Sequence, residues 1–314
     1  MFLGEPDTRT AGFPIDTGYN PGPDNSALPF RYRTKFVNGD AIGIYVVKHY
    51  PGVPGALSSF ISENFANNIK AVYDSVPGTR ATWTLTDSIY HPGGDSELDF
   101  YAYYPYQPDI HYGYPTWDFY PPDPNDIPYK ANMNQNTPAG FYGSDFLLGI
   151  ARNIRKSVPK SLVTMQPKHA MALVEAKVFY PPGEPVDPTV NLALINVKSA
   201  ASISLSDSSA KKVGNAPPPY FSSRIDSIVM YNRGIITGTS SVDTVVYWAV
   251  VPPQKIAVGT DSSTVSKKTG TLLFSRRDSV YIAADSMSTS APATAVQLEL
   301  EAGKVTTLKL KLKN

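Results

Sequence analysis

"LDFYAYYPY", residues 98–106, is the stretch whose reading decides the fold class. Leu98, Phe100, Ala102 and Tyr104 alternate with Asp99, Tyr101, Tyr103 and Pro105. A period of two belongs to a strand, because successive side chains point to opposite faces of a sheet. Both faces carry aromatic rings here. That predicts a strand with one face on a core and the other against a loop or a neighbouring layer.

The same grammar continues on either side. Upstream, Asn38-Gly39-Asp40 signals a turn, and a β-branched run from Ala41 to Val47 follows. "NIKAVY" (68–73) and "ATWTL" (81–85) are further strand candidates, separated by Pro77-Gly78 and Pro92-Gly93-Gly94. The segment Phe60–Tyr73 also fits an amphipathic helix, but its turn-rich flanks favour a strand at its end. Downstream, Pro105 to Gly143 has no regular pattern and reads as a long loop. Order resumes in "SDFLLGIARNI" (144–154), with room for one helical turn, and in "HAMALVEAKVFY" (169–180). Beyond Pro181-Pro182-Gly183 a second series begins, including "VNLALINV" (190–197), "TVVYWAVV" (244–251), "AVQLEL" (295–300) and "VTTLKLKLK" (305–313). Short strands at roughly 8–12-residue spacing with turns between them indicate sandwiches or barrels. The expectation is an all-β chain of two domains, 36–180 and 181–314, preceded by a Pro/Gly-rich tail over 1–35.

Composition narrows the functions. In 314 residues, 42% are hydrophobic and 18% charged, enough apolar material for real cores. The 28 basic and 27 acidic residues leave a net charge of +1 with no basic stripe, which argues against nucleic acid as a partner. There is no cysteine, so disulfides, thiolate metal sites and Cys nucleophiles are excluded together. Twenty Tyr, 29 Pro and few charges suit an extracellular β protein. The N-terminus lacks the charged and apolar parts of a signal peptide, which fits a mature chain whose leader is gone.

Catalytic patterns are missing. His49, His91, His111 and His169 lack ligand spacing, and no HExxH, GxSxG, P-loop or GxGxxG stands in a suitable context. Asp109, Asp118, Asp123 and Asp126 raise the question of a carboxylate pair or a calcium site, but Asp beside Pro is ordinary turn chemistry. The expectation is no enzyme, no metal and no cofactor. Tyr112, Tyr114, Trp117 and Tyr120 form a candidate adhesion loop within 107–140, able to stack on a sugar or to fold back on the sheet. The final strand alternates too: Leu308, Leu310 and Leu312 against Lys309, Lys311 and Lys313. It suits either an edge strand guarded by lysines or a strand donated to a neighbour's sheet.

Taken in order, "FVNGDAIGIYV" (36–46), "ATWTL", "LDFYAYYPY", "SDFLLGIA" (144–151), "HAMALVEAKV" (169–178), "VYWAVVPPQKI" (246–256) and "LELEAGKVTTLKLKL" (298–312) resemble the fimbrillins of Bacteroidales, subunits of strand-exchanged surface pili. The resemblance implies two transthyretin-like β-sandwich domains, export as a lipoprotein to the outer membrane, and assembly in place of catalysis. It further implies that an extracellular trypsin-like protease cuts near the N-terminus, for which Arg9, Arg31 and Arg33 are candidates, with Lys35 as another basic position. The displaced first strand would leave a groove for a donor strand from another subunit. In this chain the donor would be the region of Val305, Leu308, Leu310 and Leu312. Expected partners are other pilus subunits, the protease, and a host protein or glycan.

Overall fold

The computed structural model describes residues 2–4, 36, 38–58, 63–74, 82–108, 123–156, 162–180, 186, 191–207, 209–211, 226–237, 243–258, 271–276, 279–280, 283–284 and 296–311. The fold is all-β, with one short helix among these residues.

In chain order the first half contains β1 (Phe2–Gly4), β2 (Ala41–His49), β3 (Ala66–Asp74), β4 (Thr82–Leu85), β5 (Glu97–Tyr104), β6 (Ile127–Lys130), α1 (Pro138–Tyr142), β7 (Leu147–Ile154), β8 (Leu162–Thr164), β9 (Lys168–His169) and β10 (Ala172–Phe179). Six of them form an antiparallel sheet in the order β4-β3-β2-β5-β7-β9. β5 lies between β2 and β7, and all eight of its residues are buried. Phe100, Ala102 and Tyr104 join Ile44, Val46 and Trp83 on one face. Tyr101 and Tyr103 join Tyr45, Val47 and Phe146 on the other. The double-sided aromatic strand foreseen from its alternation is thus the middle of a sheet with a core on each face. The segment 66–74 is a strand and not a helix, because it pairs with β2 on one edge and β4 on the other.

Tyr103 explains one glycine. Gly43 stands opposite it in the β2–β5 register, and a Cβ there would lie 2.2 Å from the ring's Cε1. The phenol donates to Asn68 Oδ1 at 2.8 Å, and Asn68 takes a left-handed φ of 46°. Asparagine tolerates that conformation better than other side-chain-bearing residues.

The second half contains β11 (Asn191–Val197), β12 (Ala200–Ser204), β13 (Ser209–Lys211), β14 (Asp226–Val229), β15 (Tyr231–Thr237), β16 (Asp243–Val251), β17 (Gln254–Val258), β18 (Thr271–Arg276), β19 (Ser279–Val280), β20 (Ala283–Ala284), β21 (Val296–Leu300) and β22 (Val305–Lys311). A five-stranded sheet, β15-β16-β10-β22-β20, faces a four-stranded one, β14-β11-β18-β19. Val174, Ala176, Val178, Leu192, Leu194, Ile228, Tyr247 and Leu308 share the core they enclose. β17 pairs with β21 as a separate ribbon.

Two features cross the middle of the chain. β10 precedes the Pro-rich segment beginning at residue 181, yet both its hydrogen-bonding neighbours, β16 and β22, lie beyond residue 240. β6 lies within the stretch that had read as loop, and it pairs with β12 across some seventy residues of sequence. Helix α1 sits in the same stretch, capped by Thr137, whose side chain accepts from the Gly140 N–H.

Candidate assembly groove

β8 is three residues long, and its backbone partner among the described residues is β1. The two run parallel, with Phe2 opposite Leu162, Leu3 opposite Val163 and Gly4 opposite Thr164. β1 also lies against β4. Beneath β8 lies the apolar face of the six-stranded sheet, and Val163 and Met165 are buried on it. A cavity opens here, lined by Phe36, Ile42, Trp83, Tyr104, Leu147 and Met165 among others. Phe36 sets its edge against the rings of Trp83 and Tyr104, with centroids 4.9 and 5.7 Å apart. Its lining is almost wholly hydrocarbon and aromatic carbon. Burial, with Asp40 beside it, pushes the Tyr104 phenol up, and that hydroxyl donates to Asp40 Oδ1 at 3.3 Å. A slot of this kind offers apolar surface plus the backbone groups of β8 to an extended peptide.

The rim at the far end of the sheet is charged. His49 ends β2 and faces Glu97 and Asp99, all three buried. Its Nε2 lies 3.1 Å from Asp99 Oδ1, and its Nδ1 lies 3.2 Å from the Tyr50 carbonyl. Arg152 donates to Asp99 Oδ2 at 3.0 Å and to the Tyr101 hydroxyl at 2.9 Å, and Arg155 donates to Glu97 Oε1 at 2.6 Å. Burial by itself would lower the His49 pKa, but the Tyr50 carbonyl, Asp99 and Glu97 outweigh it and raise the value. Every member of this cluster is satisfied by another. It is a structural network, with no nucleophile placed against a base.

The other candidates from sequence fall as follows. His169 lies in β9 with Nδ1 2.8 Å from Asp145 Oδ2, and His91 meets the Ile154 carbonyl, so both are tied to their own surroundings. Asp123 accepts from the Asn125 N–H and Asp126 from the Ser202 hydroxyl, which is turn and side-chain chemistry. No cluster of three or more metal-binding side chains occurs among the described residues. Leu308 is buried within β22, which pairs in parallel with β10 over seven residues and meets β20 at its end. Val305 packs on the core around Tyr103 and Phe146, and Leu310 pairs through its backbone with Val178. Leu312, Arg9, Arg31, Arg33, Lys35, His111, Asp109, Asp118, Tyr112, Tyr114, Trp117 and Tyr120 lie outside the described residues. The groove residues were not singled out from sequence. "LVTM" (162–165) is too short to announce a strand, and only the Trp in "ATWTL" hinted at an aromatic wall.

A family model described as fimbrillin-like matches residues 31–314. No curated protein matches the chain. Among solved structures, a candidate cell adhesion protein from Bacteroides ovatus is similar at 16% identity and a TM-score of 0.53, covering 88% of this chain and 83% of that one. Another from Bacteroides uniformis is similar at 16% identity and a TM-score of 0.52, covering 88% and 87%. At these identities the likeness is one of fold.

Proposed function

Since the chain belongs to the fimbrillin-like family, we propose that it is a structural subunit of a cell-surface pilus, built into the fibre by strand exchange at the β8 groove. The observation that carries this reading is β1 itself. Residues 2–4 pair with β8 in a two-stranded sheet of their own, beside the apolar slot, and every other strand among the described residues begins beyond residue 40. A trypsin-like protease acting after Arg9, Arg31 or Arg33 would release that strand, because each arginine lies between β1 and the first strand of the large sheet. The emptied slot would expose β8 and its apolar floor until an extended segment from another subunit replaced β1. Export as a lipoprotein and a station on the outer membrane belong to the same reading.

Two domains, divided near 181–188, also belong to the proposal, with one qualification drawn from pairing. β10 lies before that division in sequence and hydrogen-bonds to strands after it.

Limited digestion with a trypsin-like protease, followed by unheated denaturing electrophoresis, tests the proposal. Loss of the tail is expected to yield a ladder of SDS-resistant oligomers. A cleaved protein that stays monomeric at high concentration overturns the polymerising role.

A further inference from the structure

We infer that the six-stranded sheet and the second sandwich form one rigid, cooperatively folding body, because each supplies a segment that completes the other. The face of the six-stranded sheet that carries Tyr45, Tyr101 and Tyr103 needs a covering layer, and part of that layer comes from far along the chain. The hairpin β12–β13 lies in sequence between β11 and β14, two paired strands of the second sandwich, yet β12 pairs with β6 and with neither of them. Ala201, Ile203 and Leu205 from this hairpin are buried in the same cluster as the three tyrosines. Backbone bonds hold it there, from the Ala131 N–H to the Ser199 carbonyl at 2.8 Å and from the Leu205 N–H to the Pro124 carbonyl at 3.0 Å. Without the hairpin, the tyrosine face would return apolar surface to water.

The converse contribution comes from residues 131–142, which lie between β6 and β7 and reach into the second sandwich. The Gln135 N–H donates to the Val229 carbonyl at 2.9 Å and the Val229 N–H to the Met133 carbonyl at 2.7 Å, so this segment extends the edge of β14. The Asn136 amide donates to Asn191 Oδ1 at 2.7 Å and accepts from the Asn232 N–H at 3.2 Å, which ties it to β11 and β15. Phe141 of α1 stacks on Tyr231 of β15 with centroids 5.2 Å and planes 19° apart, and Arg233 lies over the neighbouring Trp248 ring at 4.4 Å. Just before β10 enters the second sandwich, the Ala170 N–H donates to the Phe146 carbonyl at 2.7 Å. A hinge needs few contacts across it. Here the chain crosses repeatedly, through hydrogen bonds and a shared apolar cluster. The Pro-rich stretch after residue 180 joins β10 to β11, which share the second core, so it does not separate two moving bodies.

The inference concerns the free chain and stands or falls apart from the pilus reading. In such a pilus it would put bending at the contacts between subunits and not within them. The chain has no cysteine, so Lys48→Cys in β2 and Asp243→Cys in β16, both exposed, place one spin label on each side of the junction. Double electron–electron resonance is expected to give one narrow distance distribution, and a flexible Gly-Ser insertion after Gly183 is expected to leave it unchanged. A broad distribution, or one that broadens with the insertion, overturns the rigid body. Cooperativity is read on the unaltered chain by native-state hydrogen exchange in rising urea. The slowest amides of β5 and β16 are expected to converge on one common opening, and separate openings overturn the single unit. Ile203→Ala, in the hairpin, is expected to speed exchange in β5 as well as in β16. If β5 keeps its wild-type protection in that variant, the hairpin does not complete the first sheet and the inference is overturned.

Discussion

His49 shows how a single side chain links local chemistry to stability. Its ring fits between Asp99 and the Tyr50 carbonyl as a donor on both nitrogens, which is the protonated form. Glu97 and Asp99 on β5 favour that charge, while Arg152 and Arg155 from the β7 side oppose it and pair with the same carboxylates. The balance raises the folded pKa above the ordinary 6.5. A group raised on folding stabilises fully below its unfolded value, and the contribution is lost as pH climbs through the folded one. His49→Gln is therefore expected to lower the melting temperature more at about pH 5 than at about pH 9. An equal loss at both would mean that the imidazolium contributes nothing to stability. The sequence showed His49 as an isolated histidine, because its carboxylate partners Glu97 and Asp99 lie about fifty residues away in β5.

Among the elements, β5 and β1 mark the two extremes of legibility. β5 announced itself through alternation, and its burial on both faces follows from having aromatic residues at odd and even positions. β1 has three residues, too few for any period, and its meaning depends on β8 and on the floor beneath. If β1 seals the groove, a chain beginning at residue 10 should bind a hydrophobic dye such as anilinonaphthalene sulfonate more strongly than the full chain. The Trp83 environment should change with it, since that indole lines the slot. Unchanged dye binding would show that the short strand closes nothing. β6 and α1 escaped sequence reading for a related reason. Ile127–Lys130 holds four residues including a proline, and its strand character comes from pairing with β12.

At the scale of the whole molecule, the two halves are joined by a continuous core. Tyr103 and Phe146 stack at 5.7 Å, Tyr129 of β6 packs edge-on to Phe146, and Ile203 of β12 and Val250 of β16 belong to the same cluster. Gln135 is fully buried at this junction. Its amide donates to the Val250 carbonyl and accepts from the Val250 N–H, each at 2.8 Å, so it imitates a neighbouring strand. Gln135→Ala would strand both backbone groups, at about 1–3 kcal/mol for each buried group left unpaired. The expected result is a clear fall in the calorimetric melting temperature, and an unchanged midpoint would mean that the junction is not held there.

By itself the sequence determined the all-β class, most of the long strands and the likeness to a pilus-subunit family. Those properties are written in local alternation, turn residues and the order of motifs. Only the tertiary structure decided where strands go once formed. It put β10 between β16 and β22, the short N-terminal strand beside β8, and the terminal leucine-lysine strand into its own sheet. The physical reason is that a strand's alternation specifies which side chains are buried but not which backbone edge it will meet. Backbone donors and acceptors are the same on every strand, so the choice of partner belongs to the packing of the whole chain.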